Sequence, residues 1–89
     1  MFNVRMEYWY YGMPVETEED YIIMSKTVSS MSEANALASE YASEAERKLR
    51  DTGVEWGYEY PGMSFDGLGR KYYISGGGEN YEIYICKPE

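Results

Sequence analysis

Chemistry in a small protein needs a base, a nucleophile or a set of metal ligands, and this 89-residue chain offers few of them. It has no histidine, which removes the usual general base, proton shuttle and metal ligand together. Cys86 stands alone, with neither a histidine nor a CxxC companion, and reads as a half-buried thiol. Ser25 and Lys26 form a Ser–Lys pair only on paper, because neighbours on a strand point to opposite faces. The acidic run Glu16, Glu18, Glu19 and Asp20 lacks the spacing and central glycine of a calcium-binding loop. Gly67-Leu68-Gly69-Arg70-Lys71 sets two glycines beside two bases and could hold an anion. The phosphate-loop pattern, with glycines opening a helix after a strand, is absent. Gly76-Gly77-Gly78 reads as a hairpin connection. The expectation is a non-enzymatic protein with no cofactor and no metal site.

Charge narrows the class of partner. Sixteen carboxylates face eight lysines and arginines, for a net charge of −8. Phosphate contacts need basic side chains, so direct binding to nucleic acid is disfavoured, as is attachment to anionic membranes. Residues 1–45 carry eight acids against two bases, and residues 46–89 carry eight against six, giving −6 and −2. The negative potential is concentrated in the first half. No basic region followed by an apolar run opens the chain, so a signal peptide is not expected. No stretch reaches the apolar length that spans a bilayer. The single cysteine fits a reducing, intracellular setting.

The elements that must position these residues form one domain, 1–89. Residues 31–51 are the organising segment. Ala34, Leu37, Ala38, Tyr41, Ala45 and Leu49 make one stripe at a 3.6-residue period. Ser30 and Glu33 have capping-box spacing, and Gly53 supplies a left-handed stop. Before the helix, residues 2–11 alternate, with Phe2, Val4, Met6, Tyr8 and Tyr10 on one face. A broken, solvated acidic loop leads to a second strand, 21–28. After it, Val54, Trp56, Tyr58 and Tyr60 point inward, Pro61-Gly62 is a turn signal, and 71–75 and 81–87 are strands. The expected fold is α+β: one amphipathic helix on a small antiparallel sheet, in the order β-β-α-β-β with a further short strand allowed.

Eleven tyrosines and two tryptophans exceed what one such core hides. Alternation places Trp9, Tyr11, Tyr73 and Tyr84 on the face turned from the helix, together with Glu7, Glu55, Glu59 and Glu82. Aromatic pairing across strands accounts for part of this surface. Tyr and Trp are also favoured at interfaces, where they join large contact area to a polar tip. A second acidic surface is expected where Glu33, Glu40 and Glu44 leave the helix stripe and the Glu16–Asp20 run flanks them, with Glu44–Lys48 and Glu46–Arg50 pairs along the helix.

In its acidic run Glu16–Asp20, acidic helix face, aromatic strand MEYWYYG, size and topology, the chain resembles the small anti-CRISPR proteins of bacteriophages. The resemblance rests on no shared motif. It implies inhibition by binding: covering the DNA-binding or PAM-reading surface of a CRISPR effector, or preventing its assembly or nuclease recruitment, in the bacterial cytoplasm. The partner's basic residues would meet Glu16, Glu18, Glu19, Asp20, Glu40 and Glu44, with Trp9 and Tyr11 as aromatic anchors. Two other classes stay open: a small-ligand or nucleotide-binding module built on residues 67–71, and a structural or homo-oligomeric phage protein with unpaired edge strands.

Overall fold

Alternation in the first strand decides the layering. Val4 and Met6 are fully buried and Phe2 and Tyr8 partly so, whereas Asn3, Arg5, Glu7 and Trp9 turn to the other side. The computed structural model describes residues 1–59 and 63–87. Its strands are β1 (Phe2–Tyr10), β2 (Ile22–Val28), β3 (Trp56–Glu59), β4 (Gly69–Gly76) and β5 (Glu79–Cys86), with the helix α1 (Met31–Thr52) between β2 and β3. Three strands follow the helix, the extra one being the short β3. Tyr60 and the Pro61-Gly62 turn lie outside the described residues.

All five strands form one antiparallel sheet in the order β2-β1-β5-β4-β3. The first and last strands therefore pair at its middle, from Asn3↔Cys86 to Tyr10↔Glu79. Helix α1 packs mainly on β1, β5 and β4. Ala34, Ala38, Tyr41, Ala42, Ala45 and Leu49 meet Val4, Met6, Ile74, Tyr81, Ile83 and Ile85 in the core. The small alanines let the helix approach the sheet closely. Met6, Leu49, Ile74, Ile83 and Ile85 are the largest fully buried side chains, each contributing about 1.5–3 kcal/mol by transfer from water.

Local signals fix the ends of α1. Ser30 Oγ accepts the Glu33 N–H at 3.1 Å. The Glu33 carboxylate accepts the Ser29 and Ser30 hydroxyls instead of reaching back to the backbone. Gly53 takes φ +77° and donates its N–H to the Arg50 carbonyl. The β4–β5 connection is a tight two-residue turn, with Gly77 and Gly78 at φ +60° and +83°, the pair of positive angles that type I′ hairpins require.

Two stretches depart from the sequence expectation. Tyr21 does not open β2; it closes a short 3-10 turn, Glu18–Tyr21. The acidic run is an ordered turn, because the Asp20 carboxylate accepts the N–H groups of Glu16 and Thr17 at 2.7 and 3.0 Å. Tyr10 is exposed rather than inward, since it ends β1. Strand β2 is the least covered strand: residues 23–27 are exposed, and the groove between it and α1 is lined by Lys26, Val28, Glu33, Ala36, Leu37 and Glu40. Leu37 is accordingly only partly buried.

Candidate functional site

The sheet face turned from α1 gathers the residues with most chemical character. Register sets Arg5 opposite Tyr84, Glu7 opposite Glu82 and Trp9 opposite Asn80, while Tyr73 pairs with Glu82 from the other side. Like charges directly opposite each other on neighbouring strands repel. The two glutamates are also well covered, with side chains 17% and 14% exposed.

Each has a guanidinium beside it. Arg70 pairs with Glu82 and lies over the Tyr73 ring, 4.9 Å from its centroid. Arg5 lies 5.2 Å from the centroid of Tyr84, with its Nε 3.4 Å from Glu7. Glu82 is otherwise well supplied: it accepts the Trp9 indole N–H at 2.8 Å and the Tyr84 hydroxyl at 3.3 Å. Glu7 is not. Among the described residues its carboxylate accepts no hydrogen bond, and Arg5 Nε, itself buried, makes none. Burial raises the Glu7 carboxyl above its ordinary range; Arg5 opposes this, and Glu82 and Glu18 add to it. Burial and the nearby carboxylates likewise push the Tyr84 hydroxyl up to about 12.

Beneath this face Asn80 is 6% exposed. It accepts the Tyr73 hydroxyl at 2.7 Å and donates to the carbonyls of Trp9 and Gly78 at 3.3 Å. That network fixes the strand end from which Trp9 projects. Trp9 meets Tyr11 edge-on at 5.5 Å, and Tyr11 is 83% exposed. Beside Trp9 opens a cavity of about 170 Å³ lined by Glu7, Trp9, Tyr21 and Glu82. Tyr21 comes from the acidic turn, which packs against β1 and β2.

The expected partner-binding residues therefore divide. Trp9 and Tyr11 lie together on the open face, and the acidic turn of Glu16, Glu18, Glu19 and Asp20 reaches that face through Tyr21, beside Trp9, and Glu18, which acts on Glu7. Glu40 and Glu44 lie in the helix layer, across the sheet. The acidic turn does not flank them, because chain reversal after β1 carries it along the sheet edge and away from α1. Glu44 is held by Arg47, which also binds Asp51. Glu46 accepts the Tyr58 hydroxyl. The helix pairing is thus Glu44–Arg47–Asp51 rather than Glu44–Lys48 and Glu46–Arg50. Glycine loop 67–71 also divides: Arg70 turns to the open face, and at a bulge Lys71 reaches Asn35 of α1.

Reading the sequence for alternation found the face, but it missed Tyr21, Arg5 and Arg70 as parts of the site. Arg5 was accessible, being two residues before Glu7 on the same strand. Tyr21 had no local signal. Phe65, fully exposed at the tip of residues 64–68, was also unmarked.

Among the described residues no group of three acidic or cysteine side chains converges as metal ligands would, and no helix is long and apolar enough to cross a membrane. Comparison with protein-family models, curated proteins and solved structures finds no match.

Proposed function

We propose that this protein is a non-catalytic inhibitor that docks on a basic, nucleic-acid-binding surface of another protein, in the manner of an anti-CRISPR protein on a CRISPR effector. The observation that carries this reading is half-buried Trp9, with exposed Tyr11 against it, beside the acidic turn that supplies Tyr21 to the same cavity. Aromatic anchors beside an acidic rim suit a partner rich in arginine and lysine. The excess of negative charge would steer such a partner from a distance. The reading implies action in the cytoplasm of a bacterial host, with neither nucleic acid nor membrane bound directly. Glu40 and Glu44 are left outside the docking face.

The test measures binding and inhibition together, using purified CRISPR effectors and their DNA-cleavage reaction. Wild-type protein should bind an effector and suppress cleavage. Changing Glu18 and Glu19 together to lysine should weaken binding at least tenfold at low salt, with the fold preserved. Asp20 is kept because it caps the turn. Undiminished binding by the double variant would remove the acidic turn from the interface, and absence of binding to any effector would remove the anti-CRISPR reading.

A second reading is favoured by β2, whose outer edge is uncovered and whose Ile23 and Met24 are exposed. Such an edge can pair with another copy. Size-exclusion chromatography with light scattering separates the two: a concentration-dependent dimer lost on Met24→Pro would favour self-association.

A further inference from the structure

The open face repeats one arrangement twice. Arg5 lies over Tyr84 beside Glu7, and Arg70 lies over Tyr73 beside Glu82. Each unit is a guanidinium stacked on a tyrosine and set against a carboxylate. The cavity between Glu7, Trp9, Tyr21 and Glu82 has the same aromatic and acidic parts, yet no guanidinium lines it. We propose that this cavity receives the guanidinium of one arginine from a basic partner protein, with Trp9 and Tyr21 as its walls and Glu7 as its counter-ion. The proposal rests on the docking reading above and specifies its anchor.

Charge, shape and the aromatic lining support an arginine here. Glu82 is already satisfied by Arg70, Trp9 and Tyr84, so Glu7 is the carboxylate with capacity to spare. Glu82 and Glu18 both act on Glu7, against Arg5 alone, so the negative potential at the cavity favours a cation. Aromatic walls favour a flat, weakly hydrated cation over a compact ammonium. The cavity, at about 170 Å³, has room for a planar side-chain head. Glu7, opposed by Glu82 and lacking hydrogen bonds, is costly in the free protein; such violations of local rules gather at functional sites.

The experiment is an NMR titration of ¹⁵N-labelled protein with N-acetyl-arginine methylamide, its lysine counterpart and its citrulline counterpart, a neutral isostere of arginine. Arginine should move the Trp9 indole signal and the Glu7 and Tyr21 amides saturably, and bind more tightly than lysine. Citrulline should leave them in place. Glu7→Gln should weaken arginine binding about tenfold, the loss expected for one charge-assisted hydrogen bond, while signals from the helix face stay put. Tyr21→Ala, outside the core, serves as a second variant and should also weaken it. No saturable shift, an equal response to citrulline or lysine, or unchanged affinity in both variants would overturn the proposal. The docking reading fails separately: loss of the pocket leaves the Glu18/Glu19 charge-reversal result standing, and an arginine pocket without any effector binding leaves the anchor but removes the inhibitor.

Discussion

Glu7 concentrates the tension of the open face. It sits opposite Glu82, feels Glu18 from the acidic turn, and is only partly offset by Arg5, with burial the first cause of its raised pKa. In the unfolded chain it titrates near the ordinary value of 4.5. The native state therefore holds the proton to higher pH, and stability falls as pH rises through the interval above that value. Glu7→Gln removes the penalty. Thermal melts should show the variant matching wild type below about pH 4 and melting higher at pH 7. A variant that melts lower at pH 7 would mean that the Arg5 contact outweighs desolvation. Asp20 behaves in the opposite sense. Two backbone N–H groups hold its carboxyl below the usual range, so its contribution is present above 3.8 and is lost as pH falls through the lowered value.

At the scale of elements, α1 carries a core side and a groove side. Leu49 is fully buried among the sheet residues, whereas Leu37 borders the open groove beside β2. Leu49→Ala should cost about 2–5 kcal/mol through the cavity it leaves. Leu37→Ala should cost about 1 kcal/mol, since less apolar surface is lost. Urea denaturation of the two variants decides this, and equal losses would place Leu37 in the core. The short strand β3 depends on a glycine. A Cβ at Gly76 would lie 2.3 Å from the Glu55 carbonyl oxygen and 2.9 Å from Trp56 Cα, and backbone cannot step aside as a flexible side chain can. Gly76→Ala should destabilise by about 1–3 kcal/mol, with the amide signals of β3 and β4 the most displaced. Signals unchanged there would mean that the strands separate without cost.

For the whole molecule, a net charge of −8 predicts a kinetic signature. Association with a basic partner should slow at least tenfold between 50 mM and 500 mM salt as screening shortens the reach of the field. Dissociation should change much less, because long-range attraction acts on the encounter rather than on the docked complex. Stopped-flow or surface-binding kinetics reads both rates. An association rate indifferent to salt would make the acidity a matter of solubility alone.

Local rules determined much of this protein from its sequence. Period-2 alternation in β1 told the core face from the open face, the 3.6-residue stripe marked α1, and Ser30 and Gly53 marked its ends, because each depends on neighbours within a few residues. Absence of histidine and the acidic excess were equally legible. Tertiary structure alone decided the rest. Pairing of β1 with β5 joins residues some 70 positions apart, as in Trp9 with Glu82, and no local propensity encodes that register. The same pairing confronts Glu7 with Glu82, and the pairing of β4 with β5 brings Arg70 to Glu82. The direction in which the chain turned after β1 set Tyr21 and the acidic turn beside Trp9 and left Glu40 and Glu44 behind the sheet. Charge and aromatic content could be counted along the chain; which of them share a surface follows only from how the strands pair.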